Sequence, residues 1–136
     1  MNFLAPWSPQ FLSVMRIAVG LVFLQHPAAK FLGFPHVAYF DNLQIFSWPI
    51  GIAGIIETIF GLLLFFGLFT RVAAFILSGE MAVAYFMAHA PQGFYPLLNM
   101  GEAAVLFCFV FLYIAAAGPG PWSIDEMMGR SKTASA

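Results

Sequence analysis

Four stretches of predominantly apolar residues dominate this 136-residue chain, at about 9–28, 48–68, 71–89 and 96–117. A bilayer hydrocarbon core of about 30 Å takes roughly 20 such residues per helix, so each stretch is long enough to cross one. The first opens at Ser8-Pro9, an N-cap residue followed by a proline at the first helical position. The fourth is ended by Gly118-Pro119-Gly120-Pro121. A water-soluble reading fails on polarity. Apolar residues reach 62 %, charged residues only 8 %, and mean hydropathy is +0.90, where soluble domains carry about 25 % charge. The chain is expected to be all-α, an integral membrane four-helix bundle with antiparallel neighbours. It would form a single domain over 1–130, with 131–136 as a disordered tail.

The connections are unequal. Phe69-Thr70-Arg71 joins spans two and three, and Ala90 to Tyr95 joins spans three and four, so these pairs are antiparallel neighbours. Phe31 to Ser47 is longer and carries Phe31, Phe34, Tyr39, Phe40 and Phe46, too apolar to hang in water. It is expected to lie in the interface as a loop or short helix covering one mouth of the bundle. Arg71, Arg130 and Lys132 fall on the side that carries both termini, against Lys30 on the other, which predicts cytoplasmic termini. Trp7, Trp48 and Trp122 sit at expected helix ends, where interfacial belts form. The first residues do not read as a cleaved signal peptide, because no Lys or Arg precedes the first apolar run. After span four, Ser123-Ile124-Asp125-Glu126 reads as a capping box opening a short surface helix.

Charge inside the spans is the informative feature. Arg16 lies in span one, Glu57 and Glu80 near the middles of spans two and three, and Glu102 about two turns or less into span four. Each charge at mid-membrane costs ~2.5–3.5 kcal/mol on insertion scales, on the order of 10 kcal/mol together, so all four are expected to point inward. At about 100° per residue, Arg16 shares its face with Gly20, Phe23 and Lys30, with His26 on the flank. Glu57 shares its face with Gly54, Gly61 and Leu64, Glu80 with Ala73, Ala84 and Met87, and Glu102 with Asn99, Leu106, Phe109 and Tyr113. Small residues such as Gly79 and Gly101 beside the acids would let backbones approach. Three carboxylates then face one deep guanidinium, with Lys30 and the histidines nearer the mouth. Desolvation and like-charge repulsion favour the neutral acid, so at least one of Glu57, Glu80 and Glu102 is expected to be protonated at pH 7. Buried polar networks also serve simply to fix helix register, and that structural role weighs about evenly for Arg16.

Several chemistries are disfavoured. A di-metal carboxylate bundle needs Glu-x-x-His pairs, but Phe60, Val83 and Val105 stand at that spacing, so no metal is expected. Only His26 and His89 would serve a bis-histidine haem. The single cysteine, Cys108, precludes an internal dithiol pair. No phosphate loop, nucleophile elbow or basic stripe for nucleic acid is present. Electrons in any redox role would reside on a bound small molecule or a partner protein, and no covalently bound cofactor is expected.

Arg16-Ile-Ala-Val-Gly-Leu-Val-Phe with His26 and Lys30, Gly54-Ile-Ile-Glu57 with Gly61 and Gly67 to Arg71, Gly79-Glu80, His89 through Asn99-Met-Gly-Glu102, and Gly118-Pro-Gly-Pro-Trp-Ser123 resemble the DoxX family of small bacterial membrane proteins. The resemblance covers roughly 13–126. Pro27 departs from the glycine usual there and is expected to kink the end of span one. The resemblance implies a four-helix fold in the bacterial inner membrane and a link to oxidoreduction through quinol oxidase-type complexes, quinone or catechol detoxification, and oxidative stress, without agreed catalytic residues. The leading expectation is a quinone- or phenol-handling oxidoreductase, or the membrane subunit of one. Arg16, His26, Lys30, His89 and Asn99 would bind the head group, and Glu57, Glu80 and Glu102 would handle protons. The rivals are a non-enzymatic anchor for a redox or stress enzyme and, more weakly, a small-solute or proton carrier. Expected partners are lipid, a quinone or phenol, a soluble redox protein and a second copy in a homodimer.

Overall fold

Residues 2–130 are described by a computed structural model, all of whose regular elements are helical. The expected tail 131–136 lies outside the described residues. A 3₁₀ turn, Ala5–Trp7, leads into α1 (Ser8–Leu32), which runs on through Pro27 and ends where Gly33 adopts a left-handed backbone, φ 68°. The following loop holds one 3₁₀ turn, Ala38–Phe40, and then α2 (Ile50–Phe66) begins. α3 (Thr70–Ala84) continues as a π-helical turn, Tyr85–His89, and a 3₁₀ turn, Ala90–Gln92. The single turn α4 (Pro96–Asn99) precedes α5 (Glu102–Ala117), and α6 (Ile124–Met127) follows. Ala5–Leu32 and Thr70–Gln92 are each long and apolar enough to cross a membrane, while α2 and α5 are shorter apolar helices.

The fourth expected span is not continuous. Met100 takes a left-handed backbone, φ 59°, and splits 96–117 into α4 and α5. Exposed irregular backbone in hydrocarbon is costly, and side chains supply its partners. Asn99 Nδ2 donates to Gly93 O at 2.6 Å, and Asn99 Oδ1 accepts from Gly101 N at 2.8 Å. His89 Nδ1 donates to Asn99 O at 3.0 Å, and Tyr85 donates its hydroxyl to Phe94 O.

Neighbouring helices run antiparallel. On the α1–α2 seam Gly20 meets Phe65, Gly61 meets Leu24, and Gly54 meets Phe31 and Lys30. On the α3–α5 seam, Ser78 donates to Cys108 O at 2.8 Å and Arg71 to Ala115 O at 3.0 Å. One end of the bundle therefore carries the N-terminus, the α2–α3 turn and the segment after α5 (the terminal face). The other carries the 33–49 and 90–101 connections (the loop face). The buried residues of α1 and α2 match the faces expected from spacing: Arg16, Gly20 and Phe23, and Gly54, Glu57, Gly61 and Leu64. Phe23, Leu64, Ala74, Leu77, Phe111 and Ile114 form the fully buried apolar centre.

Two glycines make opposite predictions. A Cβ on Gly51 would sit 2.5 Å from Gln44 O and press on Ile45 O, backbone atoms of the loop. Gly51→Ala should destabilise by ~1–3 kcal/mol, as overpacking does. Gly79 has open space around it, so the close approach expected beside Glu80 is not made there. Gly79→Ala should be neutral or stabilising by roughly 0.5–1 kcal/mol. Thermal unfolding in detergent reads both.

Candidate functional site

The ionisable residues separate into two groups at opposite ends of the bundle. At the loop end, Lys30 stands in the last turn of α1 and Glu57 two turns into α2. The tight seam at Gly54 brings the Lys30 stem against α2, and its ammonium grips both oxygens of Glu57, at 2.7 and 2.6 Å. Both side chains are buried, 8 % and 5 % exposed. The Phe40 ring of the loop lies 5.9 Å from the Lys30 ammonium, while 32–39 are exposed. Lys30 is thus the counter-ion of Glu57, the role the sequence suggested for Arg16.

Glu80 and His26 lie within electrostatic range of this pair. Both carboxyl oxygens of Glu80 are buried and have no hydrogen-bond partner among the described residues. His26 stands on an exposed side of α1, its ring 5.8 Å from Phe23 and 6.1 Å from Phe107 of α5. Phe107 stacks on Phe111 at 5.6 Å, and Phe23 meets both edge-on. The result is an aromatic wall beside a buried ion pair and an unsatisfied carboxyl. A group of that kind is satisfied by its own proton or by a donor on a ligand.

Glu102 does not join them. It is exposed at the first position of α5, on the side that also carries the exposed Leu106, Phe109 and Tyr113. The core side of α5 is instead Ala104, Phe111 and Ile114. A carboxylate at a helix N-terminus is favoured by the helix dipole without being buried, which removes the reason for turning it inward. Asn99 and His89 are spent on the 93–101 backbone, and Asn99 Nδ2 also donates to Tyr85 OH at 3.2 Å.

At the terminal end, Arg16 is fully buried and meets carbonyls rather than a glutamate. Nε donates to Pro119 O at 2.9 Å, Nη1 to Leu64 O at 2.9 Å and to Phe65 O, and Nη2 to Trp122 O. The guanidinium caps the last carbonyls of α2 and holds the chain after α5 against α1. Arg71 does the same for α5 through Ala115, Ala116 and Ala117. Asp125, nearly buried, accepts from Phe69 N at 3.0 Å and from Thr70 N and Oγ1 at 2.8 Å, fixing the α2–α3 turn. Ser123 Oγ accepts from Glu126 N at 3.1 Å, the N-cap that the sequence signalled. Asp125 was legible only as a first-turn acid, because its partners, two main-chain amides and the Thr70 hydroxyl, lie more than fifty residues away.

The DoxX family profile matches residues 11–90, through α1, α2, α3 and the π-helical turn. The chain belongs to the DoxX family. A protein of Haemophilus influenzae with no assigned function is 44 % identical over 129 residues, covering 93 % of this chain and 96 % of that one. A Mycobacterium tuberculosis relative, described as an uncharacterised membrane protein, is 26 % identical over 149 residues, 93 % of this chain and 86 % of its own. A third, named "Putative oxidoreductase CatD" in Bacillus subtilis, is 23 % identical over 120 residues, 88 % of this chain and 87 % of its own. No solved structure matches. Arg16, His26, Lys30, Glu57 and Glu80 all fall in the matched DoxX region, and this DoxX chain is a membrane protein.

Proposed function

We propose that this DoxX protein crosses the bacterial inner membrane four times with both termini cytoplasmic, and handles a quinone or phenol as an oxidoreductase or the membrane subunit of one. α2 and α5, of 17 and 16 residues, rise about 25 Å, and their flanking turns complete the crossing of a locally thinned bilayer. The carrying observation is Glu80: a buried carboxyl with both oxygens unpartnered, within electrostatic range of the Lys30–Glu57 pair. A quinol hydroxyl entering past His26 and Phe107 would donate to the ionised Glu80, and as the ring gives up two electrons one proton would pass to that carboxyl and the other hydroxyl's proton to water. The electrons go to a second redox molecule or a partner protein. The oxidoreductase name of the Bacillus relative supports the same class.

The test is binding of a short-chain quinone and its quinol to the purified protein in lipid nanodiscs. Glu80→Gln should weaken quinol binding roughly 10- to 100-fold, the worth of one hydrogen bond to a charged group, while folding is retained. Absence of binding by the native chain, or binding indifferent to Glu80→Gln, rejects the reading. Retained function of Glu80→Gln in cells would favour the anchor role.

A further inference from the structure

We infer that the Lys30–Glu57–Glu80 cluster exchanges protons and solutes with one membrane face only, the loop face, and that the rest of the bundle is a dry seal. The inference rests on reading the cluster as a ligand site in a bundle that spans the bilayer. Lys30, Glu57 and Glu80 lie nearer the loop face than the fully buried apolar centre, while Arg16 and Arg71 lie on its terminal side. In α1, Phe23 lies a turn closer to the terminal face than His26, and Lys30 is further out still. In α2, Leu64 lies two turns beyond Glu57. In α3, Ala74 and Leu77 lie between Glu80 and the terminal face, and in α5, Phe111 and Ile114 occupy the same level. Those residues are fully buried and form one contiguous cluster.

No proton-carrying group bridges that layer among the described residues. Ser78, beside it, spends its hydroxyl on Cys108 O, and the titratable groups that touch the layer are the half-buried Cys108 thiol, the His26 ring 5.8 Å from Phe23, and Arg16, which donates to Leu64 O. Beyond it the terminal end is closed by Arg16, whose guanidinium nitrogens all donate to carbonyls, and by Ser13, whose hydroxyl accepts from Trp122 N at 3.1 Å. The charged groups within electrostatic range of Glu80 are Lys30 from α1 and Glu57 from α2, and His26 lies within range of that same pair. At the loop end a loop ring, Phe40, lies over the Lys30 ammonium. A proton leaving Glu80 therefore returns to the side it came from, and an alternating-access carrier is not what this bundle is built to be.

Single cysteines in a Cys108→Ala background test this in oriented vesicles, with a membrane-impermeant charged methanethiosulfonate reagent added to one side at a time. Tyr39→Cys and Met127→Cys, both strongly exposed, mark the loop and terminal faces. Lys30→Cys and Glu80→Cys should be modified from the Tyr39→Cys face and lose all labelling from the other, and Leu77→Cys should react from neither. Phe107→Cys, which removes no charge, substitutes where Glu80→Cys does not fold. Labelling of Lys30→Cys, Glu80→Cys or Phe107→Cys from the Met127→Cys face, or of all three from neither face, overturns the inference. Both markers reacting from one side overturns the spanning bundle itself. Quinol binding is scored separately on the unmodified chain, so loss of the ligand reading leaves one-sided labelling standing, and the reverse.

Discussion

Arg16→Met is expected to cost the folded protein about 3–5 kcal/mol, several times a typical surface substitution. The guanidinium satisfies carbonyls of Leu64, Phe65, Pro119 and Trp122 in a fully buried position. Methionine fills much the same volume and leaves those acceptors without a donor. Hydrogen bonds to a charged group are worth roughly 1.5–3 kcal/mol each, but they are not additive when they share one donor, hence a total below their sum. Arg16→Lys should recover little. A lysine ammonium is a point charge on a flexible stem and cannot serve acceptors spread around a planar fork. The damage should localise: proteolysis after 117 and hydrogen exchange at Gly67–Thr70 should both rise, because the same clamp holds the α2–α3 turn through Asp125. Unfolding of both variants in detergent within about 1 kcal/mol of the native chain would show that the clamp is not what holds this end together.

How much of this was legible in the sequence follows from what each residue depends on. Helical spacing identified the inner faces of α1 and α2, because Arg16, Gly20 and Phe23, like Gly54, Glu57 and Gly61, repeat at three- and four-residue intervals on uninterrupted helices. The same reasoning misplaced Glu102. It treated Asn99 and Glu102 as one helix, and nothing in the apolar pattern reveals that Met100 turns left-handed between them. Pairing was harder still. Which glutamate meets Lys30 depends on the axial offset of α1 against α2, which Gly54 sets by admitting Phe31 and Lys30. Arg16 was read as a counter-ion because side chains are visible in a sequence and main-chain acceptors are not. Of the three acids that the spacing singled out, Glu80 is the one whose buried carboxyl oxygens have no hydrogen-bond partner among the described residues.

The largest separation between a structural and a chemical role should come from the Lys30–Glu57 pair. Lys30→Met alone leaves a buried carboxylate without its cation, and Glu57→Leu alone leaves a buried ammonium. Each should lose about 3–5 kcal/mol, since removing one partner strands the other in low dielectric. The double variant Lys30→Met/Glu57→Leu removes both charges and keeps the volume. Replacing a buried ion pair by apolar residues is often neutral or stabilising, so the double variant should unfold near the native temperature, with a coupling energy of several kcal/mol between the two positions. Quinol binding decides what the pair is for. If the two charges only fix the register of α1 on α2, the double variant regains binding along with stability. If they set the field around Glu80, as the proposed function requires, the double variant is a stable bundle whose quinol affinity stays low and whose dependence on pH is changed. Glu80→Gln added to it would then weaken binding little further, because the carboxyl has already lost the neighbours that gave its proton a purpose.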